Sequence, residues 1–176
     1  SSDEAFGAYT IDAFPEEKFK SNVFKDQLEW LDFTLDYFSK NQDLGLIVRI
    51  HPRETFERRG VSKSQNFINI SNKLKSNHLP DNIYINYPSD NISVYDLFNI
   101  TDVTLVSWSL TAVESLLHSK PVIVYDNRLT NYPDEIVCTG NSVGHYLLNL
   151  EKSKQPQFMH DVNLKELGFN WLKANF

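Results

Sequence analysis

Apolar residues in "NVFKDQLEWLDFTLDYFSKN" (22–41) fall at Phe24, Leu28, Leu31, Leu35 and Phe38. Steps of three and four place them on one face of a helix, so the segment predicts an amphipathic helix. The pattern then changes to the short continuous run "LGLIVRI" (44–50), which reads as a strand, and residues 53–61 read as a charged loop. "SKSQNFINISNKLKSN" (62–77) predicts a second helix, "LPDN" a turn, and "IYINYP" (83–88) a short strand. "SVYDLFNIT" (93–101) predicts a short helix capped near Asn91 or Ser93. After it come the strand "DVTLVS" (102–107), the helix "LTAVESLLHSK" (110–120) and the strand "PVIVYD" (121–126). A helix over "NSVGHYLLNLEKSK" (141–154) and a helical end at "NWLKANF" complete the chain.

Strand and helix alternate almost throughout. That order predicts an α/β fold: a Rossmann-like, doubly wound, mainly parallel sheet with helices on both faces. "LGLIV" and "PVIVY" are unbroken apolar runs, as strands covered on both faces require. The 176 residues suffice for one domain with a sizeable core, so residues 1–176 are read as a single domain. The start, "SSDEAFGAYT", has neither the basic nor the apolar stretch of a signal peptide, and is read as the end of a first strand whose beginning is missing.

Composition narrows the function. Hydrophobic residues make up 41% and charged residues 23%, as in ordinary globular chains. A net charge of -6 argues against a broad nucleic-acid surface, which needs clustered Lys and Arg. The one cysteine, Cys138, allows no disulfide framework within the chain and points to a reducing compartment. Sequons at Asn69, Asn91 and Asn99 are of the kind that an Asn-rich chain produces by chance. There is no apolar run of about 18 residues, hence no transmembrane helix. His78, His118, His145 and His160 are not spaced as metal ligands, so no metal is expected.

Ligands of open α/β sheets bind outside the carboxyl ends of the strands. Three strand ends carry polar clusters. The first holds Arg49, His51, Pro52, Arg53 and Glu54; the second is "SWSLTAVE" (107–114); the third is "YDNRLTNYPDE" (125–135). In the first, His51 can donate a hydrogen bond to a phosphate and Arg49 or Arg53 can supply charge. The bland alternative is a turn, since Pro52 ends a strand by having no N–H to donate. In the second, Ser107, Ser109 and Thr111 sit where a strand turns into a helix, a place whose free N–H groups favour anions. Glu114, one turn on, is placed to accept from a ribose diol. Thr111-Ala-Val-Glu114 is equally a capping box, in which both side chains serve the helix itself.

Taken in order, "VRIHPRE" and "YPSDNISVYDLFNITDVTLVSWSLTAVESLLHSKPVIVYD" resemble the nucleotide-binding half of GT-B glycosyltransferases. The resemblance is to the bacterial capsule and surface polysaccharide type, with the His-Pro and Ser-Ser motifs of Kdo transferases and sialyltransferase-like enzymes. It covers residues 44–126. It implies that His51 and Pro52, with Arg49 and Arg53, and then Ser107, Ser109 and Thr111, hold the phosphate of a nucleotide-sugar donor, and that Glu114 holds its ribose. Leu110 departs from the pattern, standing where the family has a second Ser. The absence of a glycine-rich phosphate loop favours a CMP-sugar over a UDP-sugar. The resemblance further implies a missing N-terminal acceptor domain, no other cofactor, and a cytoplasmic enzyme, peripheral to the inner face of the cell membrane. It assigns no catalytic base. Two competitors are a relative of the non-hydrolysing UDP-sugar 2-epimerases and a flavodoxin-like or receiver-like binding domain. For a receiver, Asp3 and Glu4 mimic the acidic pair, but "YINYP" lacks the phosphoacceptor Asp.

Overall fold

The computed structural model describes residues 21, 23–51, 65–76, 79–107, 109–125, 132–159 and 163–176. The elements follow the alternation read from the sequence: α1 (Gln27–Lys40), β1 (Leu46–Arg49), α2 (Gln65–Ser76), β2 (Ile83–Asn86), a 3-10 turn (Pro88–Asp90), α3 (Val94–Ile100), β3 (Thr104–Val106), α4 (Thr111–Leu117), β4 (Val122–Val124), α5 (Val143–Ser153) and α6 (Leu164–Asn175). The chain divides into two compact units. One holds Asp26–Ser93; the other holds Val94–Phe176 with the short stretch around Phe24.

In the first unit, α1 starts three residues after Phe24, where the apolar pattern begins, because Asp26 caps it. The Asp26 carboxylate accepts from the Leu28 and Glu29 N–H groups, both at 2.9 Å, satisfying two donors that the helix cannot. Leu31, Thr34, Leu35 and Phe38 form its buried face. β1 and β2 pair in parallel, from Leu46 opposite Ile83 to Arg49 opposite Asn86. The joint between α1 and β1 is tied by Asn82. Its Nδ2 donates to Phe38 O at 2.9 Å and to Leu44 O at 2.8 Å.

In the second unit, β3 and β4 pair in parallel, Thr104 opposite Val122 and Val106 opposite Val124. All three β4 residues are buried, as their unbroken apolar run requires. Cys138 extends the pairing beyond β4. Its N–H donates to Val122 O at 2.8 Å and its carbonyl accepts from Val124 N–H at 2.9 Å. The core joins Val106, Ala112, Val113, Leu116, Val122, Val124, Ile136, Val137 and Leu164, with Trp171 and Leu172 packed on it. α4 and α6 approach closely at Gly168, where a Cβ would lie 3.1 Å from that of Leu116.

Two polar devices finish α4. The Ser115 side chain is fully buried, donates to Lys120 O at 3.2 Å and lies 2.7 Å from the Thr104 hydroxyl. With the Ser115 hydrogen already committed, Thr104 is the donor of the second bond. The helix ends in a Schellman motif. Ser119 takes the left-handed conformation (φ 60°), its N–H donates to Leu116 O at 2.8 Å, and the Lys120 N–H donates to Ser115 O at 3.0 Å.

The chain is thus α/β with short parallel strands. Among the described residues the pairings are β1 with β2 and β3 with β4, each a two-stranded parallel sheet. Strands of three and four residues carry few ladder bonds, and each finds its described partner only across its own crossover helix.

Candidate functional site

The first cluster sits at the carboxyl end of β1. Arg49 is half-buried, and its Nη1 donates to Asn86 Oδ1 and to Ile92 O, the latter at 2.8 Å. Asn86 is wholly buried, so a charged donor to its amide oxygen stabilises a group that water cannot reach. Its Nδ2 passes the network to Asp90 Oδ2 at 3.2 Å. That oxygen also accepts from the Tyr87 N–H at 2.7 Å and the Tyr84 hydroxyl at 3.2 Å. Burial, then the charge of Asp90, raises the Tyr84 phenol above its ordinary range. The local work of Arg49 is therefore to fasten β1 to β2 and to the loop after the 3-10 turn. Asn91, in that loop, takes the left-handed conformation at φ 54°, which asparagine tolerates well. His51 lies two residues past Arg49 and is exposed. Pro52, Arg53 and Glu54 lie outside the described residues.

The second cluster sits at the carboxyl end of β3, in the other unit. Ser107, Ser109, Thr111 and Glu114 are all half-buried. The Ser109 hydroxyl donates to Thr111 Oγ1 at 3.0 Å and accepts from the Thr111 N–H at 3.2 Å. The Ser109 carbonyl accepts from the Ala112 N–H at 2.9 Å. Ser109 thus does for α4 what a capping residue does, although Leu110, already helical at φ -56° and ψ -19°, is the residue that adjoins the helix. The capping box read at Thr111–Glu114 does not form, since Thr111 is itself inside the helix. Two N–H groups expected to face an anion are engaged by Ser109.

Freed from capping, Glu114 turns to Tyr95. The Tyr95 hydroxyl donates to Glu114 Oε1 at 3.2 Å. The negative charge of Glu114, that hydrogen bond and some burial together raise the Tyr95 phenol above its ordinary range. The Tyr95 ring stacks on His118 with centroids 5.5 Å apart and planes 28° from parallel.

The third cluster, at the end of β4, supplies a support for the second. Residues 126–131 lie outside the described residues, but the Tyr132 hydroxyl donates to Ser109 O at 2.8 Å. Tyr132 is 3% exposed, its ring lies 5.0 Å from that of Trp171, and burial pushes its phenol up to about 12. Sequence reading missed both tyrosines as members of the site. Tyr132 carried a signal, lying in a polar strand-end cluster; Tyr95, one aromatic in a short helix, carried none.

Among the described residues no group of three or more His, Cys, Asp or Glu is placed to hold a metal ion, and no helix is long and apolar enough to cross a membrane. The hydroxyls of Ser109 and Thr111, the carboxylate of Glu114 and the phenol of Tyr95 can bind a polar, hydroxyl-bearing ligand. Nothing among them is a nucleophile activated by a base. No family model, no curated protein and no solved structure matches the chain.

Proposed function

We propose that the chain is the donor-binding part of a glycosyltransferase that builds capsular or other surface polysaccharide, and that it holds a CMP- or UDP-linked sugar. The observation that carries the reading is the second cluster. Two hydroxyls bonded to each other lie between the end of β3 and the first residue of α4, and a carboxylate kept out of helix capping follows within the first turn. That set suits the phosphate and ribose of one nucleotide: the Thr111 hydroxyl, itself accepting from Ser109, is a donor for the first, and Glu114 is a charged acceptor for the diol of the second. It also stands at the carboxyl end of a parallel strand, where α/β folds place their ligands.

The proposal includes the finer architecture, a Rossmann-like doubly wound sheet with helices on both faces. Arg49, committed to Asn86 and Ile92, acts mainly in support of the carboxyl end of β1. The acceptor site and the catalytic base belong to another domain of such an enzyme, which works in the cytoplasm at the inner face of the membrane.

Titration with CMP and UMP, followed by calorimetry and by NMR shifts, tests the reading. Binding with Kd between about 10 µM and 1 mM is expected for a site that forms half of a cleft, with shifts centred on Ser109, Thr111 and Glu114. Silence at millimolar concentrations of both nucleotides would overturn it.

A further inference from the structure

Glu114 is the fourth residue of α4, and His118 follows it by one helical turn, so both lie on one face of the helix. Tyr95, the second residue of α3, touches the two together: its hydroxyl meets Glu114 Oε1 and its ring lies on His118. Phe98, one turn further along α3, closes the ring in from another side, 5.2 Å from His118 and 6.2 Å from Tyr95. Tyr95 is nevertheless 48% exposed. A hydrogen bond at such a surface contributes little to folding. What it does do is restrict a glutamate side chain that would otherwise rotate about three bonds.

We propose that Tyr95 is a positioning residue for ribose recognition. Its hydroxyl holds one carboxylate oxygen of Glu114, and the other oxygen is presented to the vicinal hydroxyls of a ribonucleoside. The inference rests on the nucleotide reading of this site and deepens it: the preferred ligand is a ribonucleotide, and the preference against a deoxynucleotide is set jointly by Tyr95 and Glu114. Holding the carboxylate in place before the ligand arrives lowers the ordering cost of binding. Ser109 makes this possible, because it takes over the start of α4 and leaves Glu114 without a capping duty.

The test is a double-mutant cycle on the whole chain: parent, Tyr95→Phe, Glu114→Gln and the double variant. Each is titrated with CMP, UMP and their 2′-deoxy counterparts. Tyr95→Phe keeps the ring against His118 and removes only the hydroxyl. It should weaken ribonucleotide binding about three- to tenfold, as the loss of one hydrogen bond does, and leave deoxynucleotide binding within about twofold. In the Glu114→Gln background it should add nothing more. A purely structural role would lower both affinities alike. Equal loss of both, or no loss of either, in a parent whose ribose preference disappears with Glu114→Gln, would overturn the role of Tyr95 and leave the nucleotide site standing. A parent that binds none of the four nucleotides would overturn both.

Discussion

Ser109 owes its place to a tyrosine 23 residues further along the chain. Tyr132 is held in the core by Trp171 and reaches the Ser109 carbonyl with a hydroxyl that burial keeps protonated up to about pH 12. In the unfolded chain the same phenol ionises near 10. The native state therefore retains a proton that the unfolded state has lost, and stability is whole below about pH 10 and falls as the pH rises toward 12. Tyr132→Phe should cost about 1 kcal/mol at neutral pH through the lost bond to Ser109. It should also flatten the alkaline decline, because phenylalanine has no proton to lose. Urea unfolding of parent and variant at neutral pH and between about pH 9 and 11 checks both parts. A slope as steep in the variant as in the parent would place the alkaline sensitivity in other tyrosines. The Ser109 and Thr111 hydroxyls and the Glu114 carboxylate were legible from residue type and strand-end position. The two phenols that hold them were not, since contacts between distant segments leave no mark on local pattern.

At the scale of elements, the helices and strands were legible because hydrophobic period announces them, and their ends were not. Helix α4 illustrates why. The Thr-x-x-Glu spacing announces a box at Thr111–Glu114, yet the chain is already helical at Leu110 and Ser109 does the capping. A shift of two residues changed Glu114 from a cap into a partner of Tyr95. The other end was equally silent. Ser119 is left-handed at φ 60° inside a complete Schellman motif, a position where glycine is the usual resident and serine gives no warning. Serine bears a Cβ strain there that glycine does not. Ser119→Gly should raise stability by about 0.5–1 kcal/mol, the relief of that strain less the extra freedom of glycine in the unfolded chain. Thermal unfolding measures it, and a lower melting temperature would mean that the Ser119 side chain has a stabilising contact of its own. The bridge at Cys138 escaped notice for a related reason: one ladder residue in "EIVCTG" is too short to show a period of two.

Over the whole molecule, alternation told the class correctly and left the sheet arrangement open. Both described pairings, β1–β2 and β3–β4, join strands that follow one another in the chain, and such neighbours are what alternation encodes best. Asn82 shows what this order means for the way the chain folds. Two carbonyls at the joint of α1 and β1 receive their hydrogen bonds from a side chain 44 and 38 residues downstream. α1 has its own cap and its own apolar face, so it can form early from local information. The joint that follows it cannot close until the start of β2 has crossed α2 and docked. Kinetically, then, Asn82 belongs to the strand and not to the helix whose end it secures. Its φ-value in folding, measured with Asn82→Ala, should match that of Ile83→Val in β2 and fall below that of Leu35→Ala in α1. The end of the first helix is thereby timed by the last strand of its own unit, and the variant should shorten the lifetime of the native state far more than it slows its formation.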